Sequence, residues 1–265
     1  MTAEAAAPIE LLPLVPTLPP DSGWLSVFAA RRGGVSGAPF ESLNLGFSTG
    51  DLPADVVENR RRLAAAAGVP LGRCVVAGQT HEARVLDVER ALAGEGARAP
   101  SDRLRGYDAL SFGETDVFAL ALSADCPIVA IVDPEARCAV VAHAGWRGTV
   151  AGVIEAAAAR LEAKGGELRA SHAGVSPGIG ACCYPVGEEV FDALDGSPGL
   201  AEARSGDRLE LRTIHRVRLA QLGVPAAHTS VVGPCVACEE ARFFSHRRDA
   251  GRTGRSGVLA GWLRD

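Results

Sequence analysis

The chain alternates between short, continuous apolar runs and longer stretches in which apolar residues recur at helical spacing. The runs at 117–122 and 127–132 contain no charged residue, which predicts strands that are buried on both faces. Strands that alternate with helices indicate an α/β fold. The patterns and their boundary residues predict further strands at 24–30, 74–77, 84–88, 139–142, 173–175 and 229–232, and helices at 55–68, 149–164, 186–194 and 214–222.

Glycines and polar residues mark the predicted connections. Gly68 and the pair Gly165–Gly166 are expected to end two helices, and Thr149 is expected to cap the start of another. Residues 94–107 and 195–208 are predicted to be loops because they combine glycine with charged residues and show no periodicity.

The two ends of the chain differ from its middle. Several prolines interrupt the N-terminal segment, so residues 1–22 are predicted to form an extended tail rather than a signal peptide. No helix or strand is predicted after residue 232, where glycine and arginine are frequent. No break in composition divides residues 23–265, which are therefore predicted to form a single domain.

The composition excludes some classes of partner. A net charge of −5 over 265 residues offers no concentrated basic surface for a nucleic acid or an anionic membrane. Charged and glycine residues interrupt the apolar runs well before the roughly 20 residues that a membrane span needs. Seven cysteines cannot all pair within one chain, which indicates reduced thiols and a cytoplasmic location.

Three apolar runs each lead to a residue that can bind a soft metal. His81 follows the run at 74–77, Cys126 follows 117–122, and His143 ends 139–142. Because strand ends fix the side chains that emerge from them, these three residues could meet and bind zinc with one coordination position open. Each alone is commonly a packed core residue, and the pattern leaves copper or a cysteine nucleophile as alternatives.

Arginines lie close to these strand ends. Arg147 is in a short turn with two glycines just after His143, where a phosphate could be bound bidentately. Arg247 and Arg248 belong to a second turn that could form a phosphate or carboxylate clamp, although a solvated turn has the same composition.

Four other cysteines are assigned structural roles. Cys235 and Cys238 have the spacing of a zinc knuckle or a redox pair, but no second pair follows at a suitable distance in the sequence. Cys182 and Cys183 lie in a glycine- and proline-rich segment, where packing is the favoured interpretation.

An ordered set of motifs resembles the laccase-domain family, also called the multicopper polyphenol oxidase or YfiH purine nucleoside phosphorylase family. The resemblance runs from about residue 24 to the C-terminus. It is carried by Ser42-Leu43-Asn44-Leu45-Gly46, Glu58-Asn59-Arg60, Gln79-Thr80-His81, Asp108-Ala109-Leu110, Ala124-Asp125-Cys126-Pro127, His143-Ala144-Gly145-Trp146-Arg147-Gly148, Gly178-Ile179-Gly180 with Cys183-Tyr184, and Phe243-Phe244-Ser245 with Arg247-Arg248-Asp249.

The resemblance implies a fold and an activity. The expected fold is one α/β domain with mixed sheets in a four-layer α/β/β/α, YfiH-like arrangement. The expected activity is phosphorolysis of adenosine, inosine, guanosine and S-methyl-5′-thioadenosine, with deamination of adenosine. An older description of the family assigns copper-dependent phenol oxidation. The implied partners are a purine nucleoside and phosphate, for a protein that is a monomer or a small homo-oligomer.

The resemblance implies the metal ligands, and the chemistry of phosphorolysis leads us to expect roles for further residues. Zinc is expected on His81, Cys126 and His143, with copper as the alternative. The expected catalytic residues are Cys126, Asp125 and Arg147, and the expected substrate or phosphate contacts are Asn44, Gln79, Arg147, Arg247 and Arg248.

Two positions depart from the family pattern, and two other functions stay open. Thr80 and Glu82 flank the first histidine where the family commonly has Val and Gly, and His246 replaces a usual Tyr. Both differences could alter the charge of the site. The other functions are a metal-free cysteine hydrolase that uses Cys126 as its nucleophile, and a metal-dependent interaction module without turnover.

Overall fold

A computed structural model describes residues 7–264 and contains two mixed β-sheets. The five-stranded sheet has the order β1-β2-β13-β6-β3, and the six-stranded sheet has the order β12-β9-β7-β8-β5-β4. The strands are β1 (Leu11–Pro13), β2 (Trp24–Ala29), β3 (Cys74–Val75), β4 (Val85–Val88), β5 (Ala109–Phe112), β6 (Val117–Ser123), β7 (Ile128–Asp133), β8 (Cys138–His143), β9 (His172–Val175), β10 (Arg204–Ser205), β11 (Arg208–Leu209), β12 (Thr229–Val231) and β13 (Ser256–Trp262), with β10 and β11 forming a separate hairpin.

Helices cover the outer faces of the sheets. Leu63 and Ala64 of the first helix pack against the five-stranded sheet, while Ile154 and Leu161 of the third pack against the six-stranded sheet. The helices are α1 (Pro53–Ala66), α2 (Trp146–Val150), α3 (Val153–Ala163), α4 (Glu188–Ala193), α5 (Leu200–Ala203) and α6 (Leu211–Leu222), and short 3-10 helices span Phe47–Thr49, Leu71–Arg73, Arg90–Leu92, Asp102–Leu104 and Ala226–His228.

The continuous apolar runs are explained by this layering. In β8, Ala139 and Val141 face the other sheet, whereas Val140 and Ala142 face α3, so every residue of the strand is buried. The largest core cluster lies between the sheets and includes Phe28, Phe112 and Trp262. The predicted single domain with a four-layer α/β/β/α arrangement is therefore confirmed as the fold of the described residues.

The C-terminal strand β13 was not predicted. It lies between β2 and β6 in the middle of the five-stranded sheet, and all seven of its residues are buried. Its glycines are typical of a loop, which is why the sequence pattern does not indicate a strand. A Cβ at Gly257 would lie 2.6 Å from the Ala121 carbonyl oxygen, and a Cβ at Gly261 would lie equally close to that of Val117. Glycine is used here because the neighbouring strand is too close for a side chain.

The N-terminal segment differs from the predicted tail of residues 1–22. Residues 1–6 lie outside the described residues. In the rest, Leu11–Pro13 pairs with β2, Leu14 and Val15 are buried in the core, and turns follow. This part of the chain therefore packs into the domain instead of projecting from it.

Several predicted elements differ from the structure by a few residues at their ends, and two differ in kind. The helix expected at 149–164 is divided into α2 and α3, because Gly152 between them has a φ of +81°. Gly145, rather than Thr149, precedes the helical start, and Thr149 lies inside α2. The loop expected at 195–208 contains α5 and β10.

The connection from β6 to β7 passes from one sheet to the other. Residues 124–127 therefore lie where the two sheets meet, close to the end of β8, because β8 pairs with β7 from Ile128 opposite His143. Within residues 7–264, none of the helices combines the length and the apolar character needed to cross a bilayer.

Candidate active site

Three potential metal ligands meet at strand ends from both sheets. His81 follows β3, Cys126 lies in the connection from β6 to β7, and His143 is the last residue of β8. Their ligand atoms all lie within 4.8 Å of one another, and the two imidazole centroids are 5.0 Å apart. The structure therefore brings together the three residues that the sequence singled out.

Asp108 holds two of these ligands in place. One carboxylate oxygen accepts the backbone N–H of His81 at 3.0 Å and lies 2.9 Å from Nδ1 of His143, while the other accepts the N–H groups of Thr80 and Glu82 at 2.9 Å. A proton on Nδ1 of His143 would leave its Nε2 free to bind a metal. Burial acts to raise the pKa of Asp108, but His143 and the N–H donors hold it below its usual value.

Sequence reasoning assigned Asp108 no role. It was quoted only within a motif of the family resemblance. One feature of the sequence could have indicated a role: Asp108 stands directly before the apolar run that forms the buried strand Ala109–Phe112. In the structure Asp108 is 1% exposed. A buried carboxylate is costly unless hydrogen bonds or charges compensate it, so such a position indicates a built polar site.

The backbone at the site is shaped for close approach. His81 and Asp125 both have left-handed conformations, with φ values of 66° and 88°. A Cβ at Gly145 would lie 2.7 Å from Sγ of Cys126 and 3.2 Å from Cδ2 of His81. Glycine is therefore required at the turn after β8, and the two strained residues fit the tendency of strain to collect at functional sites.

Cys126 and His143 form a polarised pair. Burial acts to raise the pKa of the Cys126 thiol, but the charge of His143 and hydrogen bonds from His143 and His81 outweigh it and lower the pKa to about 6. Burial acts to lower the pKa of His143, but the Cys126 thiolate and Asp108 raise it to about 9. A thiolate is the form of cysteine that binds metals and attacks electrophiles.

The donor set fits a zinc ion. Two imidazoles and a thiolate are usual zinc ligands, and tetrahedral bonds of about 2.0–2.3 Å place neighbouring ligand atoms roughly 3.5 Å apart, within the observed limit. His81 is exposed and Cys126 is partly exposed toward a cavity, so a fourth position would face solvent or substrate. Three protein ligands with an open position are typical of catalytic zinc.

The three ligands line a cavity of about 800 Å³. Arginines outnumber carboxylates in its walls, which favours an anionic ligand. Aromatic side chains provide apolar faces in the same cavity. The charged lining residues are Arg60, Arg105, Arg147, Arg247, Arg255, Asp102 and Asp125, and the aromatic ones are Phe47, Trp146 and Tyr184.

Arg147 is the arginine best placed to bind an added anion. It is exposed, and its guanidinium stacks on the Trp146 ring at 4.3 Å. Among residues 7–264, nothing forms a hydrogen bond or ion pair with this guanidinium. Stacking limits the motion of the side chain while its N–H donors stay available, which suits bidentate binding of phosphate.

Two further arginines approach the cavity with some of their donors already used. The Arg247 guanidinium lies 4.9 Å from the Tyr184 ring centroid and donates to the Pro185 carbonyl at 2.6 Å. The Arg255 guanidinium donates to the carbonyl oxygens of Thr253 and Gly254. In the sequence Arg255 follows the turn that carries Arg247 and Arg248, and nothing there reveals that the next residue begins β13.

Asp125 lies in the cavity wall but is held by the protein. Its carboxylate accepts the Ser245 hydroxyl and the backbone N–H of Arg247, both at 2.6 Å. Burial raises the pKa of Asp125, although these two hydrogen bonds act in the opposite direction. The geometry indicates that Asp125 positions the turn that carries Arg247.

Three residues predicted to contact the substrate use their polar atoms in hydrogen bonds within the protein. Arg248 does not line the cavity, because its guanidinium forms an ion pair with Asp249 and donates to two carbonyls. Asn44 is fully buried and uses its amide to fix its own loop and the backbone of Arg255. Gln79 lines the cavity, but its amide bonds to both backbone groups of Leu122. These side chains support the site rather than offer free donors.

The two departures from the family pattern lie in different places. His246 is exposed and lines the cavity, so it can change what the cavity accepts. Glu82 is outside the lining; its carboxylate accepts the Thr80 hydroxyl at 2.9 Å and lies beside Gly106.

The fold and the site define a single-domain α/β protein with a candidate metal centre in a cationic cavity. A family model described as multi-copper polyphenol oxidoreductase laccase matches residues 25–263, and the chain belongs to this family. It is 37% identical over 245 residues to the purine nucleoside phosphorylase YlmD of Geobacillus stearothermophilus, covering 89% of each chain.

Two further comparisons agree with this assignment. Adenosine deaminase RL5, from an unknown prokaryotic organism, is 31% identical over 240 residues, which cover 88% of this chain and 92% of RL5. The crystal structure of the Bacillus licheniformis hypothetical protein YfiH superposes with a TM-score of 0.90 at 32% identity and covers 98% of both chains. The similarity therefore spans the whole fold.

Proposed function

We propose that this protein is a zinc-dependent purine nucleoside phosphorylase that accepts adenosine, inosine, guanosine and S-methyl-5′-thioadenosine and also deaminates adenosine. One observation carries the proposal: His81, Cys126 and His143 share a cavity with Arg147, whose guanidinium has no hydrogen-bond or ion-pair partner among residues 7–264. The names of relatives that are 37% and 31% identical support the substrate class.

Phosphorolysis needs a phosphate dianion held beside C1′ of the ribose while the purine leaves. In this proposal Arg147 binds the phosphate through its free, planar set of donors, and Arg247 adds a second contact. Asp125 acts as a positioning residue, because both of its oxygens hold the turn that carries Arg247. The faces of Trp146 and Tyr184 are available to the purine and ribose in the same cavity.

Zinc bound by His81, Cys126 and His143 would supply a Lewis acid with one open coordination position, which phosphorolysis and deamination can both use. Asp108 orients the His143 ring and fixes the backbone of His81. The low pKa of the Cys126 thiol favours its thiolate near neutral pH. The reduced state of the cysteines favours a cytoplasmic setting for this reaction.

The test is an assay of purified protein with each of the four nucleosides, with and without phosphate, followed by chromatographic separation. We expect free base and ribose 1-phosphate, or its 5-methylthio analogue, only when phosphate is present. Inosine formed from adenosine without phosphate would establish the deaminase. Absence of both reactions for every nucleoside would contradict the proposal.

A cysteine hydrolase is the second candidate, because the Cys126 thiolate and the His143 imidazolium resemble an activated nucleophile and its base. That reaction gives His81 no role as a ligand. Metal analysis and mass spectrometry of protein incubated with acyl substrates separate the candidates. An acyl adduct on Cys126 in metal-free protein would favour the hydrolase, and copper bound with phenol oxidation would favour the oxidase that the family description names.

A further inference from the structure

A second group of thiols lies outside the cavity. Sγ of Cys238 is 3.4 Å from Sγ of both Cys182 and Cys183, and the four sulfur atoms of the group all lie within 4.8 Å of one another. We call this group the four-cysteine cluster; its members are Cys182, Cys183, Cys235 and Cys238. The fold thus supplies the second pair of cysteines that the spacing of the Cys235–Cys238 motif lacked.

We propose that the four-cysteine cluster is a structural zinc site, separate from the site in the cavity. Four thiolates around zinc at about 2.3 Å lie roughly 3.8 Å apart, which matches the size of the cluster. A disulfide needs sulfur atoms about 2.05 Å apart, and all four cysteines are free. Multi-iron clusters hold their cysteine sulfurs farther apart than these atoms, so a single ion fits best.

The backbone around Cys235 favours a thiolate. Gly180 donates its N–H to Sγ of Cys235 at 3.2 Å, and the N–H of Cys238 donates to the Cys235 carbonyl oxygen at 3.2 Å, which closes the turn between the two cysteines. Backbone donors compensate the negative charge that metal-bound thiolates carry.

The two segments approach so closely that the position between them favours glycine, which is Gly180. A Cβ at Gly180 would lie 3.2 Å from Cβ of Cys235 and 3.4 Å from Sγ of Cys182. The Arg208 guanidinium donates to the carbonyl of Cys182 at 2.5 Å, which places a cation beside a group that would carry net negative charge with zinc bound.

The cluster joins a segment of the cavity wall to a second segment that holds Arg248. Tyr184 follows Cys183 and lines the cavity, and the Val236 carbonyl accepts a hydrogen bond from Arg248. A closed tetrathiolate site leaves no open coordination position, so we expect it to stabilise this wall and to take no part in turnover.

The experiment counts zinc by native mass spectrometry in protein purified under reducing conditions. We expect two zinc ions per wild-type chain, one in Cys182→Ser/Cys238→Ser and one in Cys126→Ala. The control Cys74→Ala changes a buried cysteine outside both groups and should keep two. One zinc ion in the wild type, with the same content in Cys182→Ser/Cys238→Ser, would overturn the proposal.

X-ray absorption of the Cys126→Ala protein gives a test that needs no change in the cluster. The remaining zinc should show about four sulfur neighbours at about 2.3 Å and no imidazole. Imidazole ligands, iron in place of zinc, or a disulfide trapped by alkylation during lysis would each contradict the proposal. Neither measurement depends on nucleoside turnover, so failure of the phosphorylase proposal would leave this one intact.

Discussion

The two cysteine-containing groups differ in how their surroundings prepare them. The group in the cavity has two imidazoles and one thiolate, a carboxylate that orients them, and a side open to a cationic cavity. The four-cysteine cluster has only sulfur ligands, one of which accepts the backbone N–H of Gly180. Open coordination with oriented ligands suits catalysis, whereas closed coordination suits structure. In this account zinc therefore serves two purposes in one domain, one catalytic and one structural.

The largest expected effect is that of Cys126→Ala. Loss of the thiolate should remove metal from the cavity and lower both activities by at least about 10³-fold, because the reaction loses its Lewis acid. Turnover assays and metal analysis check this outcome, with Cys74→Ala as the matched control. Phosphorolysis that persists in metal-free Cys126→Ala would show that the two reactions do not share the proposed site.

The next effect concerns the carboxylate that distinguishes the cavity group. Asp108→Asn replaces an acceptor-only group with one that must present N–H donors to facing N–H groups, so we expect metal affinity and activity to fall about 10–100-fold. Asp133→Asn is the control, since Asp133 is 2% exposed and also accepts backbone N–H groups. Equal losses in the two variants would reduce Asp108 to a folding role.

A smaller effect tests which arginine binds phosphate. Arg147→Ala should raise the KM for phosphate about 10-fold or more with little change in stability, because a charged hydrogen-bonding contact of roughly 1.5–3 kcal/mol is lost from an exposed side chain. Arg248→Lys lies outside the cavity and should leave this KM unchanged. If phosphate titrations showed a higher KM in Arg248→Lys and an unchanged KM in Arg147→Ala, Arg248 rather than Arg147 would be the phosphate contact.

The last effect concerns the stability of the fold against acid rather than activity, and it arises at His215 in α6. His215 is fully buried, and burial, with the charges of Arg218 and His143, lowers its pKa to about 3. Below pH 6.5 the unfolded chain therefore binds a proton that the folded protein does not, so stability is lost as the pH falls from about 6.5 toward 3, by about 1.4 kcal/mol per pH unit.

His215→Gln should remove this part of the slope. The free energy of unfolding, measured by denaturation between pH 4 and 6.5, should depend less on pH in the variant. Between pH 7.5 and 8.5 the variant and the wild type should have the same slope, which serves as the internal control. An unchanged slope below pH 6.5 would contradict the assigned protonation of His215.

The sequence predicted the candidate ligands at the ends of strands. It did not predict features that depend on contacts between distant parts of the chain. His81, Cys126 and His143 could be found because each stands at the end of an apolar run. Strand β13 could not, since its glycines are explained only by the close approach of β6 in the fold. Arg248 was chosen for its charge, but its ion pair with Asp249 is visible only in the fold.

The measurement that tests the central claim most directly is a zinc titration of metal-free protein in which adenosine phosphorolysis and bound zinc are followed together. We predict that free adenine appears only with phosphate, that its rate rises with zinc bound at His81, Cys126 and His143, and that Cys126→Ala stays inactive at every zinc level. Full phosphorolysis by the metal-free protein would contradict the account.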